Sequence, residues 1–336
     1  MIRLSFLLFL VLVTSCSSVR TVNETIILDS HYPRWLKESD YRTDQTSGIT
    51  LIKTEGANKY FLLADDIGKL HLLEISNDTL LILKTINFSE SVQNYLSGFP
   101  KKDFEEIAFD KSTGDVFLSI EGNGDAFKDF VGIYKLKFSR DDIFSREVTS
   151  IEKLTFEPSE EFYKYTNKNI GYEGFTSDDN YFYLGLEGFT QNYQFADSTL
   201  IFIASKDKRK IVKSINTKPL GIHTICGLFS DTDFSLWGID RNNRKLFHIL
   251  FDKNLEVTYS KLFDLAAVVP NYPQINYNAG IESVTMDNEN NFYIVDDPWK
   301  EVYVPPQNIL EKLDSITTKN FKEFIPIIYK YRLIYN

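Results

Sequence analysis

Ten positions along the chain could carry chemistry, because acids recur there at a fixed place in a repeated pattern. Five strand-like runs end on an acid: YFLLAD at Asp65, VFLSIE at Glu121, FYLGLE at Glu187, SLWGID at Asp240 and NFYIVD at Asp296. Each follows, across a short turn, another apolar run, and those runs open on Ser47, Glu105, Glu173, Cys226 and Glu282. Eight of the ten residues are Asp or Glu, and Asp66 and Asp297 add two more carboxylates. Acids brought together in this way hold protons, orient water or bind a cation.

The elements that must position them repeat as well. In every copy 14 to 18 residues separate the leading position from the terminal acid. The sixth residue of the leading run is Asp110, Asp178, Asp231 or Asp287 in four copies, the type a tight hairpin turn favours. A third run follows each pair, as in KLHLLEI from Lys69, and a fourth follows in four copies, as in LLILKTI from Leu80. The fifth copy runs out of chain, and TIIL at Thr25 to Leu28 supplies its missing strand. The expectation is an all-β, five-bladed β-propeller with four-stranded blades, the last completed by the N-terminal strand. A β-sandwich would not explain the paired acids or that completion. The 27 Phe and 19 Tyr and the plentiful β-branched residues agree with strands.

In such a blade the first strand begins and the second ends on one face of the disc. The leading residues should therefore ring one mouth of the central channel, with the terminal acids just outside. Long connections, 87–104, 157–172, 264–281, 122–131, 188–198 and 297–326, fall on that same face and mark it as the binding side. Two carboxylates about 5 Å apart repel by roughly 3 kcal/mol at an effective dielectric of ~20. Glu105, Glu173 and Glu282 facing one axis therefore require raised pKa values or a cation among them. Oxygen donors with no histidine or thiolate cluster suit a hard ion, Ca²⁺ above all. The alternative is that the acids accept backbone N–H groups and pin the ring.

Charge and the N-terminus bound the function classes. With 37 Lys and Arg against 47 Asp and Glu, the formal net charge of −10 argues against nucleic-acid binding. MIRLSFLLFLVLVTSC has one early cation, an apolar stretch too short for a bilayer, and a lipobox-like Val13-Thr14-Ser15-Cys16. Residues 1–15 are expected to be a lipoprotein signal peptide, 16–23 the lipidated Cys16 and a tether, and 24–336 one propeller domain. That places the protein in a bacterial cell envelope, anchored by lipid alone and facing the periplasm or exterior. A monomer is expected, without an intramolecular disulfide, since Cys16 and Cys226 are the only cysteines.

The inner set Ser, Glu, Glu, Cys, Glu resembles that of the calcium-activated nucleotidases, the five-bladed apyrases, whose central Ca²⁺ is held by a Ser, Glu, Glu, Ser, Glu ring. SGITLI followed by ADDIGKLHLLEI is similar to the first blade of that family, and the EGF and IESVTMD phrases resemble phytase-like and esterase-like propellers. The resemblance implies Ser47, Glu105, Glu173 and Glu282 as calcium ligands. Cys226 departs from the pattern, because its soft sulfur is a poor partner for Ca²⁺.

Two functions compete. One is a binding module that takes a small molecule or a protein at the loop-rich face, with the ion as a structural rivet. The other is a calcium-dependent hydrolase of phosphoanhydrides or phosphoesters, with Asp65, Glu187 or Asp296 orienting water. A phosphate would need clamps, and Arg241 and Arg244 in the turn after Asp240 are the candidates, with Trp299 available to stack on a base or sugar. The binding module is the preferred reading: no nucleophile elbow, serine triad, phosphate loop or histidine pair points to catalysis. A basic residue aimed into the acidic mouth would favour the hydrolase.

Overall fold

The computed structural model describes residues 24–39, 41–191, 194–277, 279–300 and 302–335. The expected leader and tether, with Cys16, lie outside the described residues. No described helix is long and apolar enough to cross a membrane.

The chain is mostly β, and its strands follow the repeat. The first, β1 (Glu24–Leu28), is followed by a meander of β2 (Thr46–Glu55), β3 (Asn58–Asp65), β4 (Lys69–Ser76) and β5 (Leu80–Phe88). The next meander is β6 (Phe104–Asp110), β7 (Asp115–Ile120), β8 (Gly132–Phe138) and β9 (Glu147–Lys153). Then come β10 (Gly174–Ser177), β11 (Tyr181–Gly185), β12 (Leu200–Ser205) and β13 (Lys210–Asn216), and after them β14 (Gly227–Phe229), β15 (Ser235–Asp240), β16 (Lys245–Phe251) and β17 (Val257–Asp264). The last group is β18 (Gly280–Met286), β19 (Asn291–Asp297) and β20 (Ile327–Tyr335), and β1 pairs antiparallel with β20, Ile26 opposite Leu333. The N-terminal strand thus completes the C-terminal sheet. The outer strands β5 and β9 also pair, in parallel, at Asn87 with Glu147 and Phe88 with Val148, which fuses the first two meanders into one sheet of eight strands.

Burial follows from position in this arrangement. Every residue of β15 is buried, as expected of a strand covered on both faces, whereas β13 and β17 alternate exposed residues with partly or fully buried ones as outer strands do. The first strands of the meanders touch in a cycle, β2 to β6, β6 to β10, β10 to β14, β14 to β18 and β18 back to β2. That contact is close enough to demand glycine behind the leading residue. A Cβ on Gly48 would lie 2.6 Å from the carbonyl oxygen of Glu105, and one on Gly227 would lie 2.7 Å from that of Glu282.

Side chains pin the cycle where no sheet ladder runs between neighbours. The threonine three residues after a leading position accepts a backbone N–H from the next first strand or its end: Thr50 from Phe109 (3.2 Å), Thr176 from Ser230 (3.3 Å) and Thr285 from Leu51 (3.1 Å). Glu106 does more. Its buried carboxylate accepts the N–H of Ile107 (3.0 Å) and of Leu228 (3.3 Å), and the Ser283 hydroxyl lies 2.8 and 2.9 Å from its two oxygens. Ser283 Oγ in turn accepts the N–H of Ile49 at 3.1 Å. Two side chains, Glu106 and Ser283, therefore connect four first strands.

The long connections carry short helices at Glu90–Leu96, Phe127–Phe130, Ser159–Tyr163, Gln307–Leu310 and Ser315–Lys322. Three of the four turn aspartates behave as expected: Asp110 accepts the N–H of Ser112 (2.9 Å), Asp178 those of Asn180 (2.8 Å) and Tyr181 (2.7 Å), and Asp287 those of Glu289 (2.8 Å) and Asn291 (3.0 Å), whereas Asp231 Oδ1 has no partner among the described residues.

Glu106→Ala should destabilise the protein by roughly 2–4 kcal/mol, because it strands the N–H groups of Ile107 and Leu228 and the Ser283 hydroxyl in the interior. Urea unfolding checks this, and a loss below about 1 kcal/mol would remove Glu106 from the account of ring closure.

Candidate functional site

A cavity of about 660 Å³ opens where the first strands begin. All four residues implied as metal ligands, Ser47, Glu105, Glu173 and Glu282, line it, and so do Arg241 and Trp299. Further carboxylates enter from Asp66, Asp103, Glu121, Glu187 and Asp297. Against these acids stand two cations of the chain, Lys101 and Arg241.

The terminal acids divide by length. The three aspartates are turned inward and spend their oxygens on the chain. Asp65 accepts the Asp44 N–H (2.9 Å) and the Thr46 hydroxyl (3.0 Å), and His71 Nε2 lies 3.0 Å from it. Asp240 repeats this with the His223 N–H (2.8 Å) and the Thr224 hydroxyl (3.1 Å). Asp296 accepts the Tyr277 hydroxyl and the Ile327 N–H, both at 2.6 Å. Each fastens the segment that leads into a strand, and none lines the cavity. The two glutamates, one methylene longer, reach the cavity instead. Of the three residues expected to orient water, only Glu187 faces it.

Arg241 leaves the end of β15 and bridges the acids of the two meanders beside its own. It donates to Glu282 and to Glu187, the latter at 2.8 Å, and lies 3.8 Å from Glu173. Its side chain is 30% exposed. Arg244, by contrast, is exposed and does not line the cavity. Lys101 pairs with Asp103 and, at 3.3 Å, with Asp66. Trp299, 55% exposed, stands on the rim.

The charges are not fully matched. Glu121 and Glu173 are 2% and 7% exposed, yet Glu121 Oε1 and Glu173 Oε2 have no hydrogen-bond partner among the described residues. Burial, then the charges of neighbouring acids, pushes Glu105, Glu121 and Glu173 well above the usual carboxylate range. Burial raises Glu187 to about 7 although Arg241 opposes it, and raises Asp66 to about 6 against the pull of Lys101. Burial works against the charge on Arg241 as well, and the thiol and carboxylates around it outweigh that effect.

Three groups of side chains bring ligand atoms within 4.8 Å of one another: Asp103, Glu105 and Glu121; Glu121, Glu173 and Glu187; and Glu173, Cys226 and Glu282. The first two are all oxygen, share Glu121 and each include two oxygens without a hydrogen-bond partner among the described residues, Asp103 Oδ1 and Glu121 Oε1 in one and Glu121 Oε1 and Glu173 Oε2 in the other, a donor set that fits a hard ion such as Ca²⁺. The third is a poorer fit. Burial holds the Cys226 thiol well above its usual range, so the thiolate a metal needs is disfavoured, and Arg241 already engages Glu282. Ser47 lines the cavity but spends its hydroxyl on the Gln45 carbonyl at 3.5 Å. Sequence reasoning had not placed Asp103 or Glu106. The signal for Glu121 and Glu187 was present as Glu where other copies have Asp.

No family model and no curated protein matches the chain. Among solved structures it is similar to a thermostable family-43 glycoside hydrolase, at 9% identity over 87% of this chain and 90% of that one, with a TM-score of 0.48. It is similar to the WD40 β-propeller domain of Doa1 at 10% identity, over 91% and 96% of the two chains, with a TM-score of 0.40. An auxiliary nutrient binding protein from Bacteroides thetaiotaomicron VPI-5482 matches at 11% identity over 75% of this chain, with a TM-score of 0.41, and the match spans 53% of that protein's length.

Proposed function

We propose that this chain is a monomeric binding module of a bacterial cell envelope, held to the membrane by lipid on Cys16, whose acidic mouth takes Ca²⁺ and presents it to a small molecule or protein at the loop-rich face. The observation that carries this reading is that Glu121 Oε1 and Glu173 Oε2, with Asp66 Oδ1, Asp103 Oδ1 and Asp297 Oδ1, lack hydrogen-bond partners among the described residues in a cavity with far more carboxylates than cations. A polar atom left unpaired in the interior costs about 1–3 kcal/mol, more for a charged group, and a bound cation offsets that cost. Asp103, Glu105, Glu121, Glu173 and Glu187 are the residues that would hold the ion. It would neutralise them and fasten the second and third meanders together.

A calcium-dependent phosphohydrolase is the second reading, and Arg241 favours it, being the basic residue in the acidic mouth that a phosphate requires. Bound Ca²⁺ would there polarise a phosphoryl oxygen. Glu187, the one water-orienting candidate that faces the cavity, would hold the attacking water, and Arg241 would leave a carboxylate to grip the substrate.

Ca²⁺ at about 100 times its Kd should raise the thermal midpoint of chelator-treated protein by roughly 5 °C, and Glu121→Gln should abolish most of that rise. An unchanged midpoint would remove the ion from both readings. A panel of nucleotides and phosphoesters then separates them, since calcium-dependent phosphate release lost in Glu187→Gln would establish the hydrolase.

Without metal, stability should fall as pH rises. A carboxylic acid whose folded pKa is raised binds a proton that the unfolded chain has already released, so its contribution is present at low pH and is lost as pH climbs. Glu187 and Asp296, each raised to about 7 chiefly by burial, set the window between about pH 4 and 7. In a chelator, urea midpoints should therefore be higher at pH 5.5 than at pH 7.5, and the reverse order would show that these groups are already ionised and compensated.

A further inference from the structure

Arg241 occupies part of the volume a cation would use. Its guanidinium joins Glu282 to Glu187 and stands 3.8 Å from Glu173, and both of the last two belong to an oxygen group able to surround an ion. Glu121, the third member of that group, and Glu105 carry no ion pair to Arg241 among the described residues. The side chain is also not sealed in, since 30% of it is exposed.

We propose that Arg241 is a built-in counter-ion that competes with a divalent cation for Glu173 and Glu187, so that loading the cavity with metal requires the guanidinium to retreat toward Glu282. This rests on the cation-binding reading of the cavity given above. The physical basis is exclusion. A guanidinium and a divalent ion sharing the same carboxylates repel, and each neutralises charge that would otherwise recruit the other. Two further observations fit. The unpartnered oxygen of Glu173 is the one Arg241 approaches without hydrogen bonding, and Glu121, in the same oxygen group, also has an unpartnered oxygen. Arg241 thus engages Glu282, Glu187 and Glu173, Lys101 pairs with Asp103 and Asp66, and Glu121 has no ion pair among the described residues. Arginine suits this post, since it stays protonated at any relevant pH and spans two carboxylates at once.

Calcium chloride titrated into the full folded domain by calorimetry, after chelator treatment and dialysis, tests the competition. Arg241→Met should bind Ca²⁺ at least roughly tenfold more tightly than the wild type, and Arg241→Lys, which keeps the charge but cannot span two carboxylates, should fall between them. Equal or weaker binding by Arg241→Met overturns the proposal while leaving the cation site standing. If Arg241→Met does not fold, Arg241→Lys decides alone, and affinity no higher than wild type overturns the proposal. Binding by Arg241→Met with none by the wild type supports the counter-ion and refutes a calcium site in the native protein. No binding by any of the three refutes both.

Discussion

Positive charge is what the mouth of this molecule lacks. The repeat delivers a carboxylate to one face from nearly every meander, and the longer side chains at Glu121 and Glu187 bring a second tier into the same cavity. Packed this closely, the acids must give up ionisation or find cations. The chain meets part of the demand itself. Arg241 and Lys101 each bridge acids from different elements, and burial keeps several carboxyls partly protonated. What is left over includes oxygens of Asp66, Glu121, Glu173 and Asp297 with no hydrogen-bond partner among the described residues, and it is there that the proposed cation would bind.

The closed cycle of first strands makes such crowding possible. Neighbouring first strands share no ladder, so the junctions rest on side chains reaching a neighbour's backbone: Thr50, Thr176, Thr285 and, at the centre, Glu106 with Ser283. Glu106 and the functional Glu105 are adjacent in sequence, and strand alternation separates their tasks. Glu105 joins the acids of the cavity, and Glu106 is buried among backbone donors. The same division appears at the strand ends, where Asp65, Asp240 and Asp296 hold the incoming segments in place while Glu121 and Glu187 face the ligand side.

The strands, their order and the return of the N-terminus to the last sheet were legible because they rest on apolar periodicity and turn aspartates, which are local signals. The gathering of Ser47, Glu105, Glu173 and Glu282 around one cavity followed from the repeat. Three features were not legible. Glu and Asp at the strand ends look equivalent in a pattern, yet one methylene decides between cavity and backbone. Glu106 is masked by its neighbour Glu105, since sequence alone does not say which of two adjacent acids points to the channel. Arg241 reads as a candidate clamp in the turn after Asp240, but its partners do not show in the sequence: only the three-dimensional proximity of Glu187 and Glu282 gives it one on each side.

Anomalous diffraction from crystals grown with Ca²⁺ addresses the central claim most directly, because it locates the ion rather than its consequences. The account expects a peak within about 2.3–2.6 Å of carboxylate oxygens from both Glu121 and Glu173, with Arg241 still bonded to Glu282. A cavity without a peak, in which Glu121 Oε1 is bonded to a protein donor or carries a proton, would contradict it.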